Sequence, residues 1–255
     1  AAWKPFYLEL VKVEPKKRKN FLRELIIDEP PAYRPGEACI YSDLGFIMLK
    51  EIIEQITNTP FEEFLIDSVY GPLNLTNICF NPLQTNHLTS IVPTEDDRYF
   101  RQTLLQGYVH DMAAAMFGGV AGHAGLFSNA RDIGILMYTL INNGSYGNTA
   151  VLDADQIEIF NKRHYYGNRR GLGFDKPVKG RKKQSNVSSN SSDSSFGHSG
   201  FTGTYTWADP ENELVFVFLS NRVHPDGQNR QISTTAIRQK IHSHIYHVIS
   251  TAGTN

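Results

Sequence analysis

The chain has 255 residues and a net formal charge of −1, from 25 Lys and Arg against 26 Asp and Glu. That length can bury a substantial core without disulfides or metal, and 40% hydrophobic with 20% charged residues describes a globular protein, not a disordered one. The even charge argues against a nucleic-acid partner. The longest apolar run, Ile133 to Ile141, is far short of the roughly 20 residues a membrane span needs, so no membrane span is expected.

Two cysteines, Cys39 and Cys79, make neither a disulfide framework nor a CxxC metal site. The opening Ala1–Tyr7 carries no basic start, apolar core or cleavage pattern, so no signal peptide is read there. With Trp3 and Pro5 and no Met, it reads as the interior of a longer polypeptide. Next comes a basic cluster, Lys16 to Lys19, expected to lie on a solvated helix face or loop. It leads into the apolar stretch Phe21–Ile27, which ends at Pro30-Pro31, and the turn Tyr33–Glu37 follows. From Leu44 to Ile56 the apolar residues Phe46, Leu49, Ile52, Ile53 and Ile56 fall at helical spacing, with Ser42 or Asp43 as N-cap. Apolar on more than one face, this helix is expected to be deeply buried.

Thr59-Pro60-Phe61-Glu62 combines a capping box with Pro at the first helical position and predicts a helix to about Tyr70, stopped by Gly71-Pro72. Residues 72–127 show little periodicity and read as loops and short turns. Ser128 or Asn129 caps a helix over Ala130–Ile141, closed by Asn143-Gly144, and Asp153 with Gln156 caps another to about Arg163. Residues 180–195 are polar, Ser-rich and low in complexity, which predicts a flexible, solvated loop. After it, Thr202–Trp207 alternates as a strand, Asp209–Asn212 turns, and Leu214–Leu219 is a buried strand. The last helix, 232–249, carries Ile237, Ile241, Ile245 and Ile249 as an apolar stripe. Its His242, His244 and His247 are read as a solvated face, because a tetrahedral metal site needs three or four convergent ligands.

Gly197-His198-Ser199-Gly200-Phe201 is not a nucleophile elbow, which needs Gly-x-Ser-x-Gly between a strand and a helix. A different pattern fits. Tyr41-Ser42-Asp43 opening a helix, and His198-Ser199-Gly200 opening a strand, resemble two of the three active-site motifs of the penicillin-recognising serine hydrolases. That family includes class C β-lactamases, DD-peptidases and related esterases, with Tyr-x-Asn as second motif and Lys-Thr-Gly or His-x-Gly as third. The run Gly118–Asp132 resembles the family's Gly-rich segment before a helix. Together with Val109-His110-Asp111, its wording resembles the β-lactamase-like domains fused to family 3 glycoside hydrolases. The resemblance covers residues 1–249.

The resemblance implies an acyl-enzyme chemistry that needs a nucleophile, a base and oxyanion donors. Tyr41, before a helix N-terminus whose dipole favours a phenolate, suits a proton acceptor or shuttle. Asp43 stands where the family often has Asn and can accept hydrogen bonds from a lysine or a substrate amide. His198 replaces the third-motif Lys and is cationic only below about pH 6.5 unless shifted. Ser199, Gly200 and Phe201 are the oxyanion and substrate-binding candidates: Gly200 lets substrate approach the strand, and the Phe201 N–H is an oxyanion donor. His123 lines the cleft or caps a turn. The family's nucleophile lies in Ser-x-x-Lys, and no serine of this chain has Lys three residues later.

The implied fold is α+β, β-lactamase/DD-peptidase-like: an antiparallel sheet flanked by helices, plus a mostly helical region over 40–165, with a cleft between. The expected organisation is one domain over 1–255, incomplete at its N-terminus, with the loop 180–195 and sheet strands plus the last helix over 196–250. Three functions compete. The first is part of a serine hydrolase acting on an ester, a D-amino-acid peptide or a β-lactam, inactive alone for lack of the nucleophile. The second is a non-catalytic domain binding peptidoglycan-like ligands. The third is a domain serving a glycoside hydrolase fused upstream. No metal or organic cofactor is implied; the expected partner is a small acyl substrate or peptidoglycan fragment, in the periplasm or cell envelope by resemblance.

Overall fold

Helices α1 (Tyr7–Leu10) and α2 (Arg18–Ile27) open the chain in the computed structural model, which describes residues 5–85, 88–165, 168–178 and 187–252. The chain divides into two units, Ala1–Gly71 with Thr76–Ser128, and Pro72–Leu75 with Asn129–Asn255.

In the first unit the predicted central helix forms as α3 (Asp43–Thr57). The Ser42 hydroxyl accepts from the Leu44 N–H at 3.2 Å, Asp43 adds an acid to the first turn, and Asn58 ends the helix in the left-handed region. Phe6, Leu10, Leu22 and Ile47 form a core that ties α1 and α2 to this helix. The cationic face of α2 is not simply solvated. Arg18 donates to the carbonyls of Leu10 and Val13, Arg23 reaches Glu51 at 2.6 Å, and Lys19 pairs with Glu54. Deep burial of α3 does not hold: Leu49, Ile52 and Ile56 are 52%, 44% and 79% exposed. Its packing is confined to one face, centred on Ile47 and the buried Lys50, whose ammonium meets Glu54 at 2.8 Å.

Helix α4 (Phe61–Leu65) continues as a π turn through Tyr70. The capping box does not form. Thr59 donates its hydroxyl to the Thr57 carbonyl, and the Glu54 carboxylate accepts from the Phe61 N–H at 3.2 Å instead.

The stretch read as loops contains regular structure: strands β1 (Cys79–Phe80), β2 (Pro93–Asp97) and β3 (Thr103–Gln106), helix α5 (Met112–Met116) and strand β4 (Leu126–Phe127). β1 pairs with β4, and β2 with β3, both antiparallel. The β2–β3 hairpin is built on charge, which hydrophobic periodicity cannot register. Arg101 Nε meets Asp97 at 2.6 Å, Nη2 meets Glu95 at 2.9 Å, and Nη1 and Nη2 donate to the carbonyls of Val109 and His110. Burial pushes the Asp97 carboxyl up, but the Phe100 and Arg101 N–H groups and the guanidinium outweigh it and hold it at about 2. Glu95 goes the other way, raised by burial and by Asp97 against the pull of Arg101. Replacing Arg101 with Met strands two buried carboxylates, and we expect it to cost about 3–5 kcal/mol, read as a fall in the urea midpoint. Adding Glu95→Gln to that variant should recover part of the loss; an unchanged midpoint in Arg101→Met would contradict the hub.

In the second unit, α6 (Ala130–Ile141) takes its predicted bounds. Asn129 caps it by accepting from the Asp132 N–H at 2.9 Å, and Gly144, at positive φ, returns its N–H to the Thr139 carbonyl. A two-stranded ribbon follows, β5 (Ser145–Tyr146) with β6 (Thr149–Ala150), and then α7 (Ala154–Asn161), capped by Asp153. The sheet is β7 (Phe196–Ser199), β8 (Tyr205–Asp209) and β9 (Leu214–Phe218), antiparallel in that order. Thr202–Thr204, predicted in the strand, instead turn the chain into β8. Alternate residues serve two layers. Phe196, Ala208 and Val215 pack with Met137, Ile133 and Leu140 of α6, while Tyr205, Trp207 and Phe216 face Ile241 and Ile245. The last helical segment breaks at Ala236 (φ +51°) into α8 (Gln231–Thr234) and α9 (Ile237–Ala252).

Two expectations are corrected here. His242 is not on a solvated face: it is fully buried, stacked on Phe216 with ring centres 4.8 Å apart, with Nδ1 3.4 Å from the Tyr205 hydroxyl. The core face of α9 is turned toward His242 and Tyr246, leaving Ile249 exposed. The Ser-rich loop also departs from its expectation. Residues 180–186 lie outside the described residues, but Val187, Ser188, Ser191, Ser192 and Ser195 are buried. Val187 packs in the core with Tyr205, Trp207 and Phe216, and hydrogen bonds hold the serines. Asp209 accepts from the Ser192 N–H and hydroxyl, Trp207 Nε1 donates to Ser195, and Ser243 donates to Ser188. The buried Lys176 spans Asn161 and the Ser194 carbonyl at 2.8 and 2.7 Å, and burial together with Arg163 lowers its ammonium to about 8.

Candidate active site

Tyr41, Asp43 and His123 lie in the first unit, and His198, Ser199, Gly200 and Phe201 in the second. Tyr41 is half-exposed immediately before the Ser42 cap, and the preceding Ile40 N–H donates to the Tyr33 hydroxyl at 3.3 Å. Asp43 is the first residue of α3.

His123 sits in the glycine-rich run, its side chain only 4% exposed, with Nε2 3.0 Å from Asp111 Oδ1. The same Asp111 oxygen accepts from the Ala114 N–H at 2.7 Å and so caps α5. Burial pushes the Asp111 carboxyl up; the His123 bond and charge, the Ala114 N–H and nearby His110 together hold it below its usual range. One carboxylate therefore fixes both the helix and the histidine, a pairing that the separate readings of Val109-His110-Asp111 and His123 did not contain. Gly122 is required beside it, since a Cβ there would lie 2.0 Å from the Phe46 carbonyl oxygen.

His198 and Ser199 close strand β7, opposite Thr206 and Tyr205. His198 Nδ1 lies 3.0 Å from the Ser199 carbonyl, and its Nε2 lies 3.2 Å from Arg170 Nη1. Burial lowers the His198 pKa; Arg170 and Arg169 push it the same way, against Asp175 and the Ser199 carbonyl. Gly200 has an internal reason to be glycine: the space of a Cβ is held by Thr204 Oγ1, 2.2 Å from where it would stand. Close approach at this position is thus made by the protein's own turn. Phe201 is 66% exposed and clamped by Arg222, whose guanidinium lies 4.3 Å from the ring centre and whose Nε donates to the Phe201 carbonyl at 2.7 Å. Arg170, Asp175 and Arg222 carry no motif signal, so sequence reasoning missed them; Asp111 was read within Val109-His110-Asp111 but not as the partner of His123.

Among the described residues no group of three or more His, Cys, Asp or Glu could hold a metal ion, and no helix is long and apolar enough to cross a membrane.

The Beta-lactamase family profile matches residues 4–238. The chain belongs to the β-lactamase family. Among curated proteins this β-lactamase-family chain is 36% identical over 214 residues to the "Putative D-alanyl-D-alanine carboxypeptidase" of Escherichia coli strain K12, covering 79% of this chain and 49% of that protein. A protein of the same name from Salmonella agona is 36% identical over 228 residues, 84% of this chain and 52% of that protein. The chain thus spans about half the length of the curated relatives it matches. Solved structures share the fold: simvastatin synthase from Aspergillus terreus at 14% identity and TM-score 0.63, over 96% of this chain and 64% of that one. The octameric penicillin-binding protein homologue from Pyrococcus abyssi follows at 16% identity and TM-score 0.56, over 92% and 49%. The fold is that of β-lactamases and penicillin-binding proteins, of α+β class.

Proposed function

We propose that this chain is part of a serine hydrolase that forms an acyl-enzyme on a D-amino-acid peptide of the cell wall, with esters and β-lactams as related substrates. What supports the reading is a chain of the β-lactamase family in which Tyr41-Ser42-Asp43 opens a capped helix and His198-Ser199-Gly200 ends a sheet strand. The curated relatives carry a carboxypeptidase name for that substrate. In this reading Tyr41 takes and returns the nucleophile's proton, Asp43 accepts a hydrogen bond from lysine or substrate, and His123 borders the substrate. Ser199 and the Phe201 N–H hold the acyl group and its oxyanion, and His198 stands in the place of the third motif's lysine. By motif the chain is taken as class C-like, the whole of 1–255 counts as one domain, and the cell envelope is its place of work.

No Ser-x-x-Lys occurs among the 255 residues, so this reading requires a nucleophile supplied from outside them. The same observation favours a second reading, a non-catalytic domain that binds peptidoglycan fragments, appended to a glycoside hydrolase as in the domains its glycine-rich segment resembles. Sequencing the natural gene upstream of Ala1, then treating the encoded protein with a fluorescent penicillin, separates the two. An in-frame Ser-x-x-Lys and covalent labelling, slowed about 100-fold or more in Tyr41→Phe, is the expected result. The 255-residue chain alone should remain unlabelled. An upstream sequence without the motif, and a natural protein that binds muropeptide but never labels, would move the assignment to the binding domain.

A further inference from the structure

The contacts of His198 fix its protons. An arginine side chain only donates, so the nitrogen facing Arg170 Nη1 at 3.2 Å must be an acceptor. A carbonyl only accepts, so the nitrogen 3.0 Å from the Ser199 carbonyl must carry a hydrogen. One form satisfies both: a neutral ring protonated on Nδ1 with its lone pair on Nε2. Arg170 is itself held. Its Nη2 meets Asp175 Oδ1 at 3.0 Å, and Asp175 exchanges both backbone hydrogen bonds with Gly197, the residue before His198. The guanidinium is thereby registered to the strand that carries the histidine.

We propose that Arg170 is the positioning residue of the third motif: it locks His198 as a neutral acceptor and supplies the fixed positive charge that the histidine does not. The consequence for catalysis rests on the hydrolase reading given above; the proton assignment does not. Among the described residues, Arg170, Arg169 and Asp175 act on the charge of His198, with Arg169 Nη2 3.5 Å from Asp175 Oδ2. Adding a proton at Nε2 would set a second cation against the Arg170 guanidinium and break the contact. The direction of the His198 shift, downward from burial and from both arginines, agrees. His198 is therefore neither a proton donor nor a titrating cation near neutral pH. An anionic acyl group would meet a charge that stays constant across that range, because arginine does not deprotonate in proteins.

The test uses the 255-residue chain with ¹⁵N-labelled histidine, observed by long-range ¹H–¹⁵N correlation, with His198→Gln assigning the resonances. At pH 7 the Nε2 of His198 should resonate as an unprotonated nitrogen and Nδ1 as a protonated one, titrating below the ordinary histidine range. Arg170→Gln should move the midpoint upward and mix the tautomers, and Arg170→Lys should restore the low midpoint in part by restoring the charge. A wild-type Nε2 that is protonated at pH 7 overturns the proposal, and so does an Arg170→Gln spectrum with the same tautomer and midpoint. If Arg170→Gln fails to fold, the wild-type tautomer and the Arg170→Lys midpoint still decide it. None of these readouts needs turnover: the expected tautomer in a protein that penicillin never labels would sink the hydrolase reading and leave this one standing.

Discussion

Replacing Asp209 with Ala should lower the stability of the second unit by about 4 kcal/mol, among the largest effects of any single substitution outside the apolar core. Asp209 is fully buried at the end of β8 and accepts from six donors. Its Oδ2 receives the Ser192 N–H at 2.8 Å, Asn212 Nδ2 at 2.9 Å and the Tyr246 hydroxyl at 2.5 Å. Its Oδ1 receives the Ser192 hydroxyl at 2.6 Å and the N–H groups of Glu211 and Asn212. Burial pushes this carboxyl up, but the donors from Ser192, Tyr246 and Asn212 more than offset it and hold it below its usual range. Alanine leaves the donors in a dry interior without an acceptor, which costs more than the bonds themselves contribute. Asparagine should be intermediate, since it keeps one acceptor oxygen but turns an amide N–H toward groups that are already donors. Urea unfolding of the three proteins measures the order; an alanine variant within 1 kcal/mol of the parent would show that water satisfies these donors.

The second large effect is a dependence on acid. His242 has no exposed surface, and burial drives its pKa down to about 4, against an opposing pull from Asp209. Its unfolded value is about 6.5. Above pH 6.5 the imidazole is neutral in both states and folding gains nothing from protons. Below it the unfolded chain takes up a proton that the folded chain refuses, so stability falls progressively from pH 6.5 to about pH 4. A shift of this size corresponds to about 3 kcal/mol at the acid end. His242→Phe keeps a flat ring between Phe216 and Tyr246 and removes the titration, so the difference between the two proteins isolates this one site from the other histidines. Urea midpoints between pH 7.5 and 4.5 should converge toward, or cross, those of the variant as pH falls. Parallel curves would assign the acid sensitivity to another group. Asp209 acts in a separate window, losing its contribution only as pH falls through its own depressed pKa.

Elements whose ends are set by local chemistry were legible from the residues. Asn129 and Gly144 bound α6, Ser42 starts α3, and Leu214–Phe218 is a strand whichever way it packs. What escaped depends on distant partners. The β2 strand reads Pro-Thr-Glu-Asp-Asp and looks like a loop until Arg101 neutralises it. Glu54 supplies the cap that Thr59 was expected to give, from seven residues before Phe61. His242 was misplaced because the isoleucine stripe defines a face adjacent to the one that the sheet aromatics bury. In the candidate site the order of the motifs could be read, since each is a run of three residues. Arg170 could not, because it stands 28 residues before His198 and meets it where Asp175 pairs with Gly197.

The serine layer that ends at Ser195 has a single apolar anchor, Val187, and no regular backbone, yet it is bolted to the sheet at Asp209 and Trp207 and to the last helix at Ser243. Those bonds close loops of 12, 17 and 55 residues. Docking therefore waits until sheet and helix have met, and the layer can leave only when they part. Amide hydrogens along it should exchange with deuterium at the rate of the unit's global opening, as though the segment were a strand. A sequence that looks like a tether is, in its timing, a latch.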